Sequence, residues 1–269
     1  MSKGFLWVTC ILSFFSITMI SWKVEKINKS SKASTTVTTT TNTHTEVSAK
    51  ELFTQYLDDI YNTAQLHVAG LDRDVFQKAV TGYFNLKAAG EVPQYSSVIT
   101  IVDLAKSSCL KRMWIVDLMN KELVLNTWVA HGSGSGGDMA QYFSNENDSH
   151  ASSLGFYVTD GVYQGKHGRS LKLDGVDAGF NDNARARSIV VHAAAYVSMS
   201  SIDKLGRLGR SEGCPAVSPK VIGKVIEAIK GRTVLFINGN DGSYSSKYLD
   251  QGVAANYMYP DSSSVTASL

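Results

Sequence analysis

A thiol and an imidazole in the second half of the sequence have the types and order that nucleophilic catalysis requires. His192 ends a run that is typical of a strand, and Cys214 follows 22 positions later. A nucleophilic thiol needs a base within hydrogen-bond reach, and one return from strand to loop can bring these two residues together. Gly213 lets the chain turn sharply, so that amides near Cys214 can face a developing oxyanion. The pair alone is equally compatible with two structural residues.

The elements that must position this pair are mainly strands. From residue 96 onward apolar residues recur with a period of two, which is typical of strands. The runs 112–117 and 123–130, joined by a turn, predict a hairpin. Further strands are predicted over 97–103, 155–159, 170–173, 188–192 and 233–237. We therefore expect a mainly antiparallel β domain with helices at its edges.

Helices are predicted on both sides of the strands in the sequence. Ser48 and Glu51 have the spacing of a capping box at the start of a first helix. A second helix is predicted from residue 72 to about residue 89, on the spacing of its apolar residues. A third is predicted with Ser218 as its N-cap and Gly231 just past its end.

Residues around the cysteine and the histidine resemble a known family. The element Ser211-x-Gly213-Cys214, after a strand that ends at His192, resembles the L,D-transpeptidase catalytic domain (YkuD-type) family. The chain more specifically resembles the murein L,D-transpeptidase branch of this family, which has Pro after the cysteine, as Pro215 is here. The resemblance also includes the runs 114–117, 147–150, 153–157, 165–168, 171–175 and 179–184, and it covers roughly residues 95–238. These motifs are specific together and weak one by one.

The resemblance implies an antiparallel β-sandwich-like catalytic domain that acts as a cysteine acyltransferase on peptidoglycan stem peptides. Cys214 would attack the carbonyl between the diamino acid and D-alanine at the fourth stem position, releasing D-alanine and leaving a thioester. A side-chain amine of another stem (cross-linking) or water (a carboxypeptidase side activity) would resolve it. His192 would hold the thiol as thiolate and shuttle the proton. No metal and no organic cofactor is implied.

The other predicted site residues take their roles from the same resemblance. The Gly213 and Cys214 amides would form the oxyanion hole, and Ser211 is expected to fix the turn. The residues predicted to contact substrate are His167, Arg210, Tyr196 and Ala193.

Two positions depart from the family pattern. Many members carry Gly or Ser after the histidine, where this chain has Ala193, so a backbone carbonyl would have to orient the imidazole. Many members also carry Arg two residues after the cysteine, where this chain has Ala216. Arg210 or Arg207 could supply that positive charge from the other side.

Other candidate residues have weaker patterns. Arg185 and Arg187 could bind a stem carboxylate or could lie on a solvated face. His150 is interpreted as structural, and Cys109 as an incidental thiol because no base is near it in sequence. The glycine-rich run 132–137 lacks the ending of a phosphate loop and is interpreted as a mobile loop beside the cleft.

Three alternatives remain open. A sortase-like transpeptidase also uses His, then Cys, then Arg, a role that Arg232 could take, but the Thr-rich element of that fold is missing. Papain-like enzymes and cell-wall amidases place the cysteine before the histidine. A membrane-tethered peptidoglycan-binding module that has lost activity is compatible with Ala193 and Ala216.

Composition limits the broad class. The 269 residues carry a formal charge of +2, and residues 1–49 alone carry five lysines against two glutamates, so the remainder is close to neutral. This balance excludes a strongly basic nucleic-acid binder. Hydrophobic residues make up 43% and charged residues 19%, as in globular chains. Three cysteines, one in an apolar N-terminal run, exclude a disulfide scaffold and a four-cysteine zinc site.

The N-terminal region predicts export. Residues 4–22 carry no charge and have an apolar centre, with a length between a signal peptide and a full span. Four lysines follow this run and one precedes it, which opposes export of the C-terminal part. We expect export because the implied chemistry requires it, with an uncleaved anchor favoured over a cleaved signal.

The sequence thus predicts five regions. They are a signal peptide or membrane anchor (1–22), a Ser/Thr-rich flexible linker (23–47), a helical N-terminal segment (48–93), the catalytic domain (94–240) and a C-terminal tail (241–269). The expected location is the periplasm or cell envelope. Any attachment to the inner membrane would be through residues 4–22 only. We expect a monomer whose partners are peptidoglycan stem peptides.

Overall fold

The structure, a computed structural model, describes residues 47–260. The predicted segment 1–22 and all but the last residue of the predicted linker lie outside the described residues, as do residues 261–269. None of the helices within 47–260 combines the length and apolarity needed to cross a membrane.

Two helices precede the strands, as the sequence predicts. Helix α1 spans Ala49–Thr63 and α2 spans Arg73–Ala88. The predicted capping box is present: Ser48 Oγ accepts a hydrogen bond from the Glu51 N–H at 3.2 Å, and the Glu51 carboxylate accepts from the Ser48 N–H at 2.9 Å. These contacts satisfy amides that have no partner within the helix.

Eight strands follow, and the mainly β prediction is confirmed. They are β1 (Val98–Asp103), β2 (Met113–Asp117), β3 (Glu122–Thr127), β4 (Gly155–Gly165), β5 (Gly168–Gly175), β6 (Val190–Ala193), β7 (Ala216–Val217) and β8 (Val234–Asn238). They form one sheet in the order β3-β2-β1-β8-β4-β5-β6-β7. Neighbouring strands are antiparallel except for the parallel pairs β1–β8 and β6–β7.

The two ends of this sheet meet, so that it is nearly closed. Ala130, just after β3, pairs with Ala216 in β7 through hydrogen bonds of 2.8 and 3.4 Å. Gly132 forms a parallel bridge with Ser211, in which the Ser133 N–H donates to Ser211 O at 2.8 Å and the Ser211 N–H donates to His131 O at 3.0 Å. The loop after β3 therefore lies directly against the segment that carries Cys214.

Both faces of the central strands are buried, because side chains of a strand alternate between the two faces. In β4 and β8, Phe156 and Phe236 face a core that includes the first two helices, and Tyr157 and Leu235 face the other core. Trp114 Nε1 donates to Ala69 O at 2.9 Å, which joins the helical segment to the sheet.

Three further helices complete the described chain: α3 (Met199–Leu205), α4 (Ile222–Ile229) and α5 (Gln251–Met258). Helix α4 begins four residues after Ser218, and Val221 stands at its N-cap, so the prediction of Ser218 as N-cap is wrong. Ser218 instead accepts the Val221 N–H at 3.0 Å through its backbone oxygen, in a turn before the helix.

The structure also differs from the interpretation of residues 241–269 as a tail. Ala254 and Ala255 of α5 are buried in the core that contains α1 and α2. Asn85 Nδ2 in α2 donates to Tyr248 O and to Asp250 O, both at 2.8 Å. Residues 241–260 therefore pack onto the helical segment.

Candidate active site

Strands β6 and β7 bring the predicted histidine and cysteine to one cavity. His192 in β6 lies opposite Ala216 in β7, and Cys214 precedes Ala216 by two residues. Both His192 and Cys214 line a cavity of about 670 Å³. The separation of 22 residues is therefore bridged by parallel pairing, with α3 in the connection.

Ser211 holds the turn before the cysteine, as predicted. Its Oγ donates to Cys214 O at 2.7 Å and accepts the Gly213 N–H at 3.2 Å. Gly213 has φ +116°, a conformation that side chains oppose, and a Cβ there would lie 2.8 Å from Ala151 O. Glycine is required at this position because the turn packs against the neighbouring loop.

The resting turn differs from the predicted oxyanion hole in one respect. The Gly213 N–H is engaged with Ser211 Oγ, whereas the Cys214 N–H finds no acceptor within residues 47–260. The Cys214 amide is therefore free to donate to an incoming oxygen, whereas the Gly213 amide is already engaged.

The imidazole of His192 is buried and oriented by backbone, which compensates for Ala193. His192 Nδ1 lies 3.0 Å from Ala193 O. A carbonyl can only accept, so Nδ1 carries the proton and Nε2 is left as the basic nitrogen. The expectation that a carbonyl orients this ring agrees with this geometry.

In the resting site, burial favours the neutral forms of the Cys214 thiol and the His192 imidazole. Burial raises the pKa of the Cys214 thiol, and the Val190 N–H, 3.5 Å from Sγ, together with the positive charge of Arg187 opposes that shift. Burial also lowers the pKa of His192. The expected resting thiolate is thus disfavoured, because both charged forms lose hydration.

The predicted substrate-contacting residues surround the same cavity. His167, Arg210 and Tyr196 line it, and Ala193 lies beside it, contributing its carbonyl to His192. His167 comes from the β4–β5 hairpin, which is longer than the predicted strands and also contributes Tyr163 and Lys166.

The arginines have sharply different environments. Arg185 is exposed and pairs with Asp160 and Asp174. Arg187 is half-buried and lines the cavity, and Arg210 lines it while donating to Gly136 O at 2.8 Å.

Of the two arginines expected to supply positive charge, Arg210 lines the cavity and Arg207 does not, and Arg187 adds a second guanidinium to the lining. Arg187 lowers the pKa of the Cys214 thiol. Arg207 points to Leu208 O, at 2.8 Å, and does not line the cavity. The sequence placed Arg187 only in the loop before β6, and its proximity to Cys214 depends on tertiary packing.

Two buried residues beneath the cysteine turn had no signal in the sequence. Arg112 is fully buried and donates to Val129 O at 3.1 and 3.2 Å. Its Nη2 also lies 2.7 Å from Nδ1 of buried His131, whose carbonyl accepts the Ser211 N–H at 3.0 Å. His131 thus connects a buried guanidinium to the turn that holds the cysteine.

The remaining candidates lie as follows. The run 132–137 forms a short 3-10 turn packed under the cysteine turn, so its interpretation as mobile is not supported: a Cβ at Gly134 would lie 2.1 Å from Ser149 O. His150 lines the cavity. Cys109 Sγ lies 3.3 Å from Gly206 O, away from the cavity.

Arg232, the candidate for a sortase-like role, also lies away from the cavity and donates to Glu91 O at 2.7 Å. Within residues 47–260, no three His, Cys, Asp or Glu side chains cluster as metal ligands.

Comparison with known protein families identifies the family of this chain. The profile of the L,D-transpeptidase catalytic domain family matches residues 67–238, more than half of the chain. No curated protein matches the chain.

Three solved structures are similar to parts of it. One is LD transpeptidase LdtMt1 in complex with imipenem, with 12% identity over 52% of this chain and 58% of that one and a TM-score of 0.31. Another is an L,D-transpeptidase from Mycobacterium smegmatis, with 11% identity over 53% of this chain and 59% of that one and a TM-score of 0.33. A third is an L,D-transpeptidase from Stackebrandtia nassauensis, with 14% identity over 71% of this chain and 94% of that one and a TM-score of 0.32. The chain therefore spans less than two thirds of the first two structures.

Proposed function

Because this chain belongs to the L,D-transpeptidase catalytic domain family, we propose that it is a cysteine L,D-transpeptidase acting on peptidoglycan stem peptides. The observation that carries the proposal is the placement of Cys214 and His192 on paired segments of one cavity. A thiol and a backbone-oriented imidazole that line the same cavity supply the nucleophile and the base that acyl transfer through a thioester requires.

The first half-reaction forms the thioester. His192 Nε2 takes the proton of the Cys214 thiol as Sγ attacks the carbonyl between the diamino acid and D-alanine. The carbonyl oxygen becomes an oxyanion that the Cys214 N–H stabilises. When the tetrahedral intermediate collapses, the C–N bond breaks and the imidazolium gives its proton to the leaving D-alanine amine. The acyl group remains on Sγ.

The second half-reaction transfers the acyl group. The side-chain amine of another stem attacks the thioester carbonyl, and His192 accepts a proton from that amine. The C–S bond then breaks, and the proton returns to Sγ, which restores the neutral thiol. Water in place of the amine gives hydrolysis, the proposed carboxypeptidase side activity.

Substrate recognition would use the cations of the cavity that are not already paired. Lys166 on the hairpin has no acidic partner among the described residues, and Arg210 makes one hydrogen bond, to Gly136 O. We propose that these two bind carboxylates of the stem. Tyr196 and His167, which line the same cavity, would contact the peptide.

The N-terminal region completes the proposal. We propose export, attachment to the inner membrane through residues 4–22 and a location in the periplasm or cell envelope, because this run is uncharged and apolar and because the proposed chemistry requires export, although the lysines that follow the run oppose it. A monomer tethered in this way could reach stem peptides near the membrane.

Mass spectrometry of the intact protein with a tetrapeptide stem tests the activity. We expect a mass increase equal to the tripeptide acyl group and release of free D-alanine. Cys214→Ala should form no adduct and should keep its fold. Cys109→Ser is the matched control, because that cysteine lies away from the cavity, and it should form the adduct normally. An adduct retained in Cys214→Ala would contradict the assignment of the nucleophile.

A further inference from the structure

The Arg187 guanidinium fastens one loop through all four of its terminal hydrogens. Nη1 donates to Ser144 O at 2.7 Å and to Ser153 Oγ, and Nη2 donates to Ala151 O at 2.7 Å and to Ser149 Oγ at 3.1 Å. Only the Nε–H remains. A planar guanidinium with its donors used in this way has no paired edge left for a substrate carboxylate.

The charge of Arg187 has no acidic partner. Among residues 47–260, no carboxylate oxygen lies within 4.0 Å of its guanidinium, whereas Arg185, two residues earlier, is bound to Asp160 and Asp174. Carbonyl and hydroxyl oxygens hold Arg187 in place without neutralising it. Arginine keeps its charge at neutral pH, so a fixed positive charge stands at the cavity wall.

This charge lies against the cysteine turn. A Cβ on Gly213 would lie 3.3 Å from Arg187 Nη2 and 2.8 Å from Ala151 O. The guanidinium and the loop that it holds therefore pack on the backbone immediately before Cys214. Arg187 also opposes the effect of burial on the pKa of the Cys214 thiol.

Other charged or titratable groups face the thiol from each neighbouring element. Lys166 and His167 come from the β4–β5 hairpin, His192 from β6, Tyr196 from the segment after β6 and Glu212 from the cysteine turn itself. Glu146, Asp148 and His150 lie on the loop that Arg187 holds, and Arg210 also lines the cavity. Arg187 differs from these groups because four hydrogen bonds fix its guanidinium.

We propose that Arg187 is a positioning residue for Cys214, whose guanidinium holds loop 144–153 against the cysteine turn and provides the fixed positive charge that stabilises the thiolate during attack. It would supply the charge that the family pattern places two residues after the cysteine, where this chain has Ala216. The proposal rests on the proposed function only in taking Cys214 as the nucleophile.

The test is the rate of Cys214 alkylation by iodoacetamide as a function of pH, in a background with Cys10→Ser and Cys109→Ser, which leaves Cys214 as the thiol that reacts. Arg187→Gln removes the charge, and we expect the midpoint of the pH profile to rise by about one unit, which slows alkylation at pH 7 about tenfold. Arg187→Lys keeps the charge and should stay within about threefold of the parent protein. Arg185→Gln is the matched control and should leave the profile unchanged.

Two results would overturn the proposal. One is an unchanged pH profile in folded Arg187→Gln, and the other is an equal shift in Arg185→Gln. Circular dichroism checks folding. If Arg187→Gln does not fold, Arg187→Lys decides: a retained profile supports the charge role, and a tenfold slowing overturns it. Alkylation needs no stem peptide, so a failure of the transpeptidase proposal would leave this test intact.

Discussion

The ring of His167 stacks on the ring of His192, with centroids 4.3 Å apart and an angle of 25° between the planes. His167 is carried by the β4–β5 hairpin, whereas His192 is fixed in β6, so the stack joins an exposed hairpin end to the proposed base. Burial lowers the pKa of His192, and the charge interaction with His167 lowers it further. The hairpin therefore contributes both to the orientation of the base and to its protonation.

Replacing His167 should separate these two contributions. His167→Phe keeps an aromatic ring but removes the charge, so the pKa of His192 should rise. Because the base must be neutral, the acid limb of the acylation rate should then move to higher pH, with little change at pH 8. His167→Ala also removes the stack and should slow acylation several-fold at all pH values. Identical profiles in both variants and the parent protein would show that the stack has no role in catalysis.

His192 and Ala193 should differ strongly in their sensitivity to mutation. His192→Ala or His192→Gln should slow thioester formation by at least about two orders of magnitude, the usual effect of losing a positioned base. Ala193→Ser should change the rate little, because Nδ1 is already held by the Ala193 carbonyl. The measurement is the rate of adduct formation with a tetrapeptide stem. If His192→Ala retained the parent rate, His167 would become the next candidate for the base.

Residues 1–22 should keep the full-length protein at a membrane. If they form an uncleaved anchor, the protein should be recovered in the membrane fraction at full mass after expression in a host with a cell envelope. Removal of residues 1–22 should move it to the soluble fraction. A soluble product that begins near Met19 or Ser21 would show cleavage instead.

The sequence could predict those parts of the fold that depend on local patterns. The strands around Trp114 and Phe236 were predictable because each is a short continuous apolar run, which is typical of a strand buried on both faces. Helix α5 was missed because its buried residues, Ala254 and Ala255, are too small to form a clear apolar stripe. The outer half of the β4–β5 hairpin was missed because residues 161–164 are exposed and are not part of a continuous apolar run.

The candidate site could be predicted only in part, for a similar reason. Cys214, His192 and Ser211 lie in a recognisable motif, so their roles could be expected from the chain alone. Arg187 and His131 derive their importance from hydrogen bonds to segments 19 to 80 residues away. No local pattern reports such contacts, because they form only when the sheet brings its two ends together.

Buried His131 should make the stability of the protein depend on pH. Burial, reinforced by the charge of Arg112, lowers the pKa of His131 to about 4. In the unfolded chain a histidine takes up a proton near pH 6.5, so between pH 6.5 and 4 the unfolded state binds more protons than the folded state. This difference should reduce the free energy of unfolding by about 2 kcal/mol between pH 7 and pH 5.

The variant His131→Asn isolates this effect. Asn can still offer an oxygen to the Arg112 guanidinium, which lies 2.7 Å from Nδ1 in the parent protein, but it cannot titrate. Urea unfolding at pH 7 and pH 5 should therefore show a loss of stability that is smaller in His131→Asn by about 2 kcal/mol. The control is His67→Asn, at an exposed position, which should keep the dependence of the parent protein. An equal loss in His131→Asn and in the parent would mean that His131 does not resist protonation, and that the contact with Arg112 does not hold it neutral.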